Sequence, residues 1–261
     1  MIHPTSIISK NAKVDKSSYV GPFCVIGDNV KIGENNRLIS HVSILGNTFI
    51  DNNNIFYPHS SIGSDPQDLK YKDEKSFLEI GNNNKFRENV TVNPGTSGGG
   101  LKTIIKDNCL FMVGSHIAHD CKISSNVILA NNATLAGHVE IHESAIIGGN
   151  SAIHQFVRIG KFAMIGGMSG VEKDIIPYGL YTGIRENLKS LNIVGLKRKG
   201  LKTDLINNIK NLVNIIFDQK DTIINNIKKN SINSYNILEI KEIINFINTE
   251  TKRGITSFKN D

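Results

Sequence analysis

Four of the chain's eight histidines, His116, His119, His138 and His154, fall in one short stretch, and Asp120 follows His119 directly. A near-neutral imidazole can take a proton from a hydroxyl, and a neighbouring carboxylate can fix its tautomer and orientation. The His119–Asp120 pair therefore suits general-base chemistry on an alcohol. The same residue types suit zinc: His116 and His119, joined by His138 or by a histidine of another copy, would supply three neutral nitrogens. The remaining histidines read more plainly. His142, beside Glu143, is expected at a solvated corner, and His3, His41 and His59 as isolated surface or satisfied groups.

The elements that must position these groups are set by a period of six. An aliphatic or aromatic residue recurs at every sixth position from Ile2 to Ile62, from Ile80 to Val92, and from Ile105 to Val171. Neither a helix of period 3.6 nor a flat strand of period 2 sustains that pattern, whereas a parallel β-helix does. Glycines follow the repeating aliphatic at Gly21, Gly27, Gly33, Gly63, Gly81, Gly148, Gly160 and Gly166. Asn and Asp crowd the later repeat positions. These types tolerate left-handed backbone angles and are expected at the corners.

Three sides make a coil of eighteen residues, so positions eighteen apart stack about 4.8 Å apart. From His119 the column runs to Gly137 and Gln155, and the columns beside it hold Asp120 with His138, and His154. Gly137 leaves a backbone N–H free to approach a developing oxyanion. Gln155 and Gly137 are poor metal ligands and good substrate-positioning groups, which favours the acid–base reading over zinc.

Two breaks in phase mark excursions from the coil, Asp65 to Glu79 and Asn93 to Ile104. Gly98-Gly99-Gly100 with Lys102-Thr103 lacks the spacing of a phosphate loop and reads as a flexible excursion. Beyond Pro177 the pattern turns helical. Leu205, Ile206, Ile209, Leu212, Val213, Ile216 and Phe217 follow Thr203 as an N-cap, and Ile237, Ile240, Ile243, Ile244 and Ile247 follow Ser234. The expected organisation is a coil over 1–185 and a helical domain over 186–261.

Composition narrows the function classes. The chain has 261 residues, 39% hydrophobic and 21% charged, as a globular protein should. Cys24, Cys109 and Cys121 are odd in number and scattered, so they read as reduced thiols. The N-terminus carries no signal-peptide pattern and no apolar run is long enough to span a membrane, so a cytoplasmic protein without membrane insertion is expected. The net charge of +6 fits either an acidic partner or lysines on solvated faces. Lys197-Arg198-Lys199 is the one tight basic cluster and has no interleaved aromatics, which argues against nucleic acid.

HIAHDC (116–121), LANNATLAGH (129–138), AIIGG (145–149), AIHQF (152–156), QDLKY (67–71) and NIVGLKRKG (192–200) resemble the UDP-N-acetylglucosamine acyltransferase family over essentially the full length. The resemblance implies a left-handed parallel β-helix, a handedness opposite to the general crossover rule. It also implies a homotrimer with sites between subunits, and transfer of an (R)-3-hydroxyacyl chain from acyl carrier protein to the sugar 3-hydroxyl of UDP-N-acetylglucosamine, the first step of lipid A synthesis. No cofactor is implied beyond the carrier's phosphopantetheine, and no metal. His119 would be the general base, Asp120 its orienter and the Gly137 N–H the oxyanion donor. Gln67, Asp68 and Lys70 would contact substrate, and His116, His138, His154 and Gln155 would line the pocket. Asn192 and Arg198 would meet the nucleotide, where a guanidinium suits paired oxygens. Gly167, with Met168 beside it, would set acyl length.

The chain departs from the family pattern at Val194, where some members carry a carboxylate, at Lys199, where a second arginine is expected, and at Gly183-Ile184-Arg185. These positions bear on nucleotide binding. The rival readings are a related hexapeptide enzyme that acylates an already acylated glucosamine nucleotide, a trimeric scaffold without catalysis, and a three-histidine zinc hydratase. The first usually adds an N-terminal domain, and here the repeat begins at Ile2.

Overall fold

The computed structural model describes residues 1–232 and 235–258. Strands of mostly two residues stack in parallel into three sheets that form the faces of a prism. The first face runs from Ile7–Ile8 to Gly170–Val171, and the second from Lys13–Val14 to Arg158–Ile159. The third runs from Tyr19–Val20 to Met164–Ile165 and is extended by Gly179–Tyr181 and Ser190–Leu191. Registers confirm the eighteen-residue coil: His116 pairs with Thr134 and Thr134 with Ala152. The coil is the left-handed parallel β-helix of hexapeptide repeats, followed by a small helical region.

The period of six is an inward-facing set. Val20, Ile26, Ile32 and Leu38 are buried, as are their successors through Val171, and Phe56, Phe86 and Phe111 stack at 4.8 Å between neighbours. Burying each such side chain is worth about 1.5–3 kcal/mol. In the first coil Ile2 is 53% exposed and Ile8 and Val14 only partly buried.

Gly63 takes the expected left-handed angle, φ +78, but other corner glycines serve a different purpose. Gly21 and Gly160 carry no positive φ; a Cβ there would overlap the Ile39 carbonyl or Pro177 of the next coil. Left-handed corner positions are held, as expected, by Asn35, Asn53 and Asp120, and also by His138 and Phe156. His41 and His59 also take this conformation, and their tilted rings lie 5.0 Å apart, with Phe23 5.0 Å from His41, so they are not isolated.

Strands Phe77–Ile80 and Lys102–Ile105 shorten the two excursions from the expected bounds. Both leave the coil between the first and second faces. The second is packed rather than loose: Ser97 N donates to Glu74 of the first excursion at 2.8 Å, and Thr96 bonds Asp120. Four helices follow the coil among the described residues: α1 (Ile193–Arg198), α2 (Thr203–Ile216), α3 (Ile223–Lys229) and α4 (Leu238–Asn248). Thr203 is the first residue of α2, not its cap; Lys202 holds the extended cap position and makes no side-chain cap bond. The expected cap Ser234 lies outside the described residues, and Ile237 precedes α4.

α2 packs on the other helices, while α4 reaches the coil, where Phe246 lies over the Arg158 guanidinium and against His142. His142 is therefore half-buried and not a solvated corner; burial holds its pKa below the ordinary value. After α4 the chain returns to the coil through bridges at Asp174–Ile255 and Leu188–Phe258. Among the described residues no helix is long and apolar enough to cross a membrane.

Candidate active site

The strand His116–Ile117 belongs to the first face and Lys122–Ile123 to the second, so His119 and Asp120 stand on the edge between them. Both excursions leave from this same edge. Asp120 is φ +60 and turns its carboxylate toward the neighbouring imidazole, whose Nδ1 lies 2.8 Å from Oδ2. The Thr96 N–H and hydroxyl donate to the same carboxylate at 2.9 and 2.6 Å, and the Asp120 N–H donates to Thr103 Oγ1 at 2.8 Å. Gly99 lets the second excursion lie against Asp120; a Cβ there would overlap the carboxylate.

His119 and Asp120 are both buried, 5% and 3% exposed. Burial pushes the Asp120 carboxyl up, but hydrogen bonds from His119 and Thr96 outweigh it and hold the group below its ordinary value. An ionised Asp120 accepts from Nδ1–H and leaves His119 Nε2 as the basic nitrogen. Gly137 stands one coil above: a Cβ there would come within 2.5 Å of His119 Nε2. Its N–H has no protein acceptor among the described residues.

His138 sits edge-on to His119 at 5.0 Å and stacks on Phe156 at 4.3 Å. Burial keeps its pKa low; Asp120 raises it, His119 and Lys252 lower it, and Asp68 raises it. His116 lies beside this group with Nδ1 2.7 Å from the Thr91 hydroxyl, and burial followed by the His119 charge depresses its pKa. A cleft of about 390 Å³ opens here, lined by Gly98, Gly99, Asp120, His138, Phe156 and Lys252 among others. His154 and Gln155 occupy the next coil of the edge and are exposed. Gln67 and Lys70 are exposed on the first excursion, where the Lys70 N–H donates to Asp68 Oδ1 at 3.0 Å.

Other expected site residues stand elsewhere on the chain. Asn192 and Arg198 border a cavity of about 670 Å³ against the third face, walled by Ile128, Ile146, Met164 and Leu180. The Asn192 side chain accepts from Gly195 N at 2.9 Å and donates to the Phe162 carbonyl at 2.9 Å, so it pins α1 to the coil. Lys199 turns inward to Glu239 at 3.0 Å and to the Tyr178 hydroxyl at 3.2 Å, while Val194 is 60% exposed. Gly167 and the 70% exposed Met168 lie on the edge between the third and first faces. One chain thus gathers the His119 group on one edge and leaves the Asn192 and Gly167 groups on other sides of the prism.

Thr96, Thr103, Lys252 and Arg253 were not legible as neighbours of the histidines. The first two lie where insertions break the count of eighteen, and the last two return from beyond α4. Phe156 was reachable, being eighteen residues past His138. Among the described residues His119, Asp120 and His138 bring ligand-type atoms within 4.8 Å of one another and could hold a metal, whereas His116 is not part of that group.

Comparison with known proteins gives a consistent result. The family model for UDP N-acetylglucosamine O-acyltransferase, domain 2, matches residues 174–256, and that for bacterial transferase hexapeptide repeats matches 5–40 and 102–137. An acyl-(acyl-carrier-protein)–UDP-N-acetylglucosamine O-acyltransferase of Thermodesulfovibrio yellowstonii is 50% identical over 97% of this chain and 98% of its own. The protein of the same name from Rickettsia bellii is 48% identical over 99% and 92%. The solved structure of a Francisella novicida UDP-N-acetylglucosamine acyltransferase superposes with TM-score 0.94 at 36% identity, covering 100% of this chain and 95% of that one.

Proposed function

The chain belongs to the acyl-(acyl-carrier-protein)–UDP-N-acetylglucosamine O-acyltransferase family, and on that premise we propose how its residues carry out acyl transfer. The substrates are an (R)-3-hydroxyacyl carrier protein and UDP-N-acetylglucosamine, and the reaction opens lipid A synthesis in the cytoplasm. The observation that carries the mechanism is the buried contact between His119 Nδ1 and Asp120 Oδ2 at 2.8 Å, with Gly137 directly above the ring.

His119 Nε2 takes the proton from the sugar 3-hydroxyl as the oxygen attacks the thioester carbonyl. Asp120 holds the imidazole in the Nδ1–H tautomer and stabilises the imidazolium that forms. The Gly137 N–H donates to the carbonyl oxygen as it becomes an oxyanion. When the C–S bond breaks, the proton on Nε2 passes to the departing thiolate, so the products are the sugar ester and free carrier thiol. His138, His116 and Gln155 line the approach, with Asp68, Lys70 and Gln67 on the excursion above it. No cofactor is needed beyond the carrier's phosphopantetheine.

The dispersal of the site residues supports a homotrimer: a neighbouring copy would bring its third face, with Asn192 and Arg198, and its Gly167 edge toward the His119 edge of this one. Incubating pure protein with UDP-N-acetylglucosamine and 3-hydroxyacyl carrier proteins of several lengths, then weighing products by mass spectrometry, tests the reaction. No acylated nucleotide from any donor would overturn it. The clustering of His119, Asp120 and His138 makes the zinc-hydratase reading specific enough to test, and stoichiometric zinc by elemental analysis would favour it.

A further inference from the structure

The segment from Thr251 to Gly254, after the last helix, reaches back to the His119 edge of the coil. It is anchored by Asp174, which is fully buried. The Thr251 hydroxyl donates to Asp174 Oδ2 at 2.6 Å, the Asp174 N–H donates to the Gly254 carbonyl at 2.9 Å, and Arg158 Nε donates to the same Oδ2 at 2.7 Å. The Thr251 hydroxyl in turn accepts from the N–H groups of Arg253 and Gly254 at 3.2 and 3.0 Å. This closed turn aims two cations at the edge. Lys252 Nζ lies 4.5 Å above the Phe156 ring, the ring on which His138 stacks. Arg253 places Nη2 2.8 Å from His154 Nε2 and Nε 2.8 Å from the Gln155 carbonyl.

A guanidinium only donates, so His154 Nε2 must be the accepting, unprotonated nitrogen. The proton then sits on Nδ1, which is 3.4 Å from the Gln155 carbonyl that Arg253 also holds. Resting on the acyl-transfer reading above, we infer that Arg253 is a positioning residue of this site: its guanidinium fixes His154 as the Nδ1–H tautomer and clamps the His154–Gln155 backbone that lines the approach to His119. The helical region therefore contributes to the catalytic edge of its own chain as well as to the far face. A single rigid fork that meets an imidazole nitrogen and a carbonyl together is a geometry lysine cannot reproduce.

Imidazole ¹⁵N shifts of His154 and steady-state kinetics test this on the full-length protein. Wild type should show an Nε2 shift of the pyridine type. Arg253→Met should lose the Nδ1–H preference, and kcat/KM should fall about tenfold, the scale of modest misplacement of positioned groups, with an unchanged melting temperature. Arg253→Lys should recover the charge without the tautomer. In a His154→Ala background, Arg253→Met should cost much less than it does alone. Unchanged His154 shifts in Arg253→Met, or an equal cost in both backgrounds, would overturn the assignment. The shift measurement stands even if wild type transfers no acyl chain, so failure of the reaction reading and failure of this inference give different results.

Discussion

Gly137 and His119 are neighbours in one column of the coil: a Cβ at position 137 would stand 2.5 Å from His119 Nε2. The contact explains why a residue without a side chain occupies that point of the column, because any other would push the imidazole off Asp120. Gly137 has no positive φ, so its backbone would accept alanine, and the three atoms a Cβ there would meet most closely all belong to the His119 ring.

Replacing Gly137 with alanine should therefore act through His119. Transfer should drop by two orders of magnitude or more, the typical loss on removing or misaligning an oxyanion donor. The stability cost of Gly137→Ala should largely vanish in a His119→Ala background, where the colliding ring is absent. Equal destabilisation in both backgrounds by urea unfolding would show that the glycine serves the backbone.

His119→Ala should abolish transfer while leaving the assembly intact. A positioned general base contributes on the order of 10² to 10⁴ in rate. Steady-state assays with size measurement by light scattering check both halves; an alanine enzyme that retained half its activity would remove His119 from the mechanism.

The Asp120 carboxylate gives stability a defined pH dependence. Its folded pKa lies below the ordinary 3.8, since the bonds from His119 and Thr96 outweigh the upward push of burial. The depressed group contributes stability that is present above the unfolded pKa and is lost as pH falls through the lower folded value. Asp120 also raises the His138 pKa, so the difference in unfolding free energy between wild type and Asp120→Asn should not shrink from pH 7 to 5 and should shrink only below 3.8. A difference that already shrinks between pH 7 and 5 would assign the stabilisation to another group.

Asp68 and Lys70 ride on the excursion at the same edge, and Leu69 between them is fully exposed. Asp68→Ala and Lys70→Ala should weaken turnover with melting temperature nearly unchanged, as exposed substitutions usually shift stability by about 0.5 kcal/mol or less. Loss of the thermal transition in either variant would make the segment structural.

The coil was legible because each inward residue repeats a local choice, and Ile26 or Leu129 is buried for the same reason as every sixth neighbour. The pairing of His119 with Asp120 was legible for the same reason, since adjacency and a period of eighteen are both sequence distances. The Thr96 bonds to Asp120 were not, because the insertion before Leu101 breaks the arithmetic. Nor could counting find Arg253, whose approach to His154 depends on how four helices pack and where the chain returns. Gly63 takes the left-handed angle expected of a corner, φ +78, but at Gly21 and Gly160 it is the close approach of the next coil, not turn geometry, that excludes a side chain.

Acyl length should be set at Gly167. It lies on the edge between the third and first faces, where a Cβ would sit 3.2 Å from the Gly149 carbonyl of the coil beneath and meet nothing bulkier. Met168 beside it is 70% exposed and turns outward, so within this chain its side chain does not fill the space the glycine leaves. If a neighbouring copy lays its acyl groove along this edge, the floor is open and long chains fit. Each methylene accommodated is worth about 0.8 kcal/mol, so a floor raised by several carbons should change donor selectivity by orders of magnitude. Wild type should prefer long 3-hydroxyacyl donors, of about fourteen carbons, over ten-carbon ones, and Gly167→Met should reverse the order with little loss on the shorter donor. Competition between the two donors, read as the product ratio by mass spectrometry, decides it. A wild type that favours ten carbons, or a ratio unmoved by Gly167→Met, would place the end of the groove on another side of the coil.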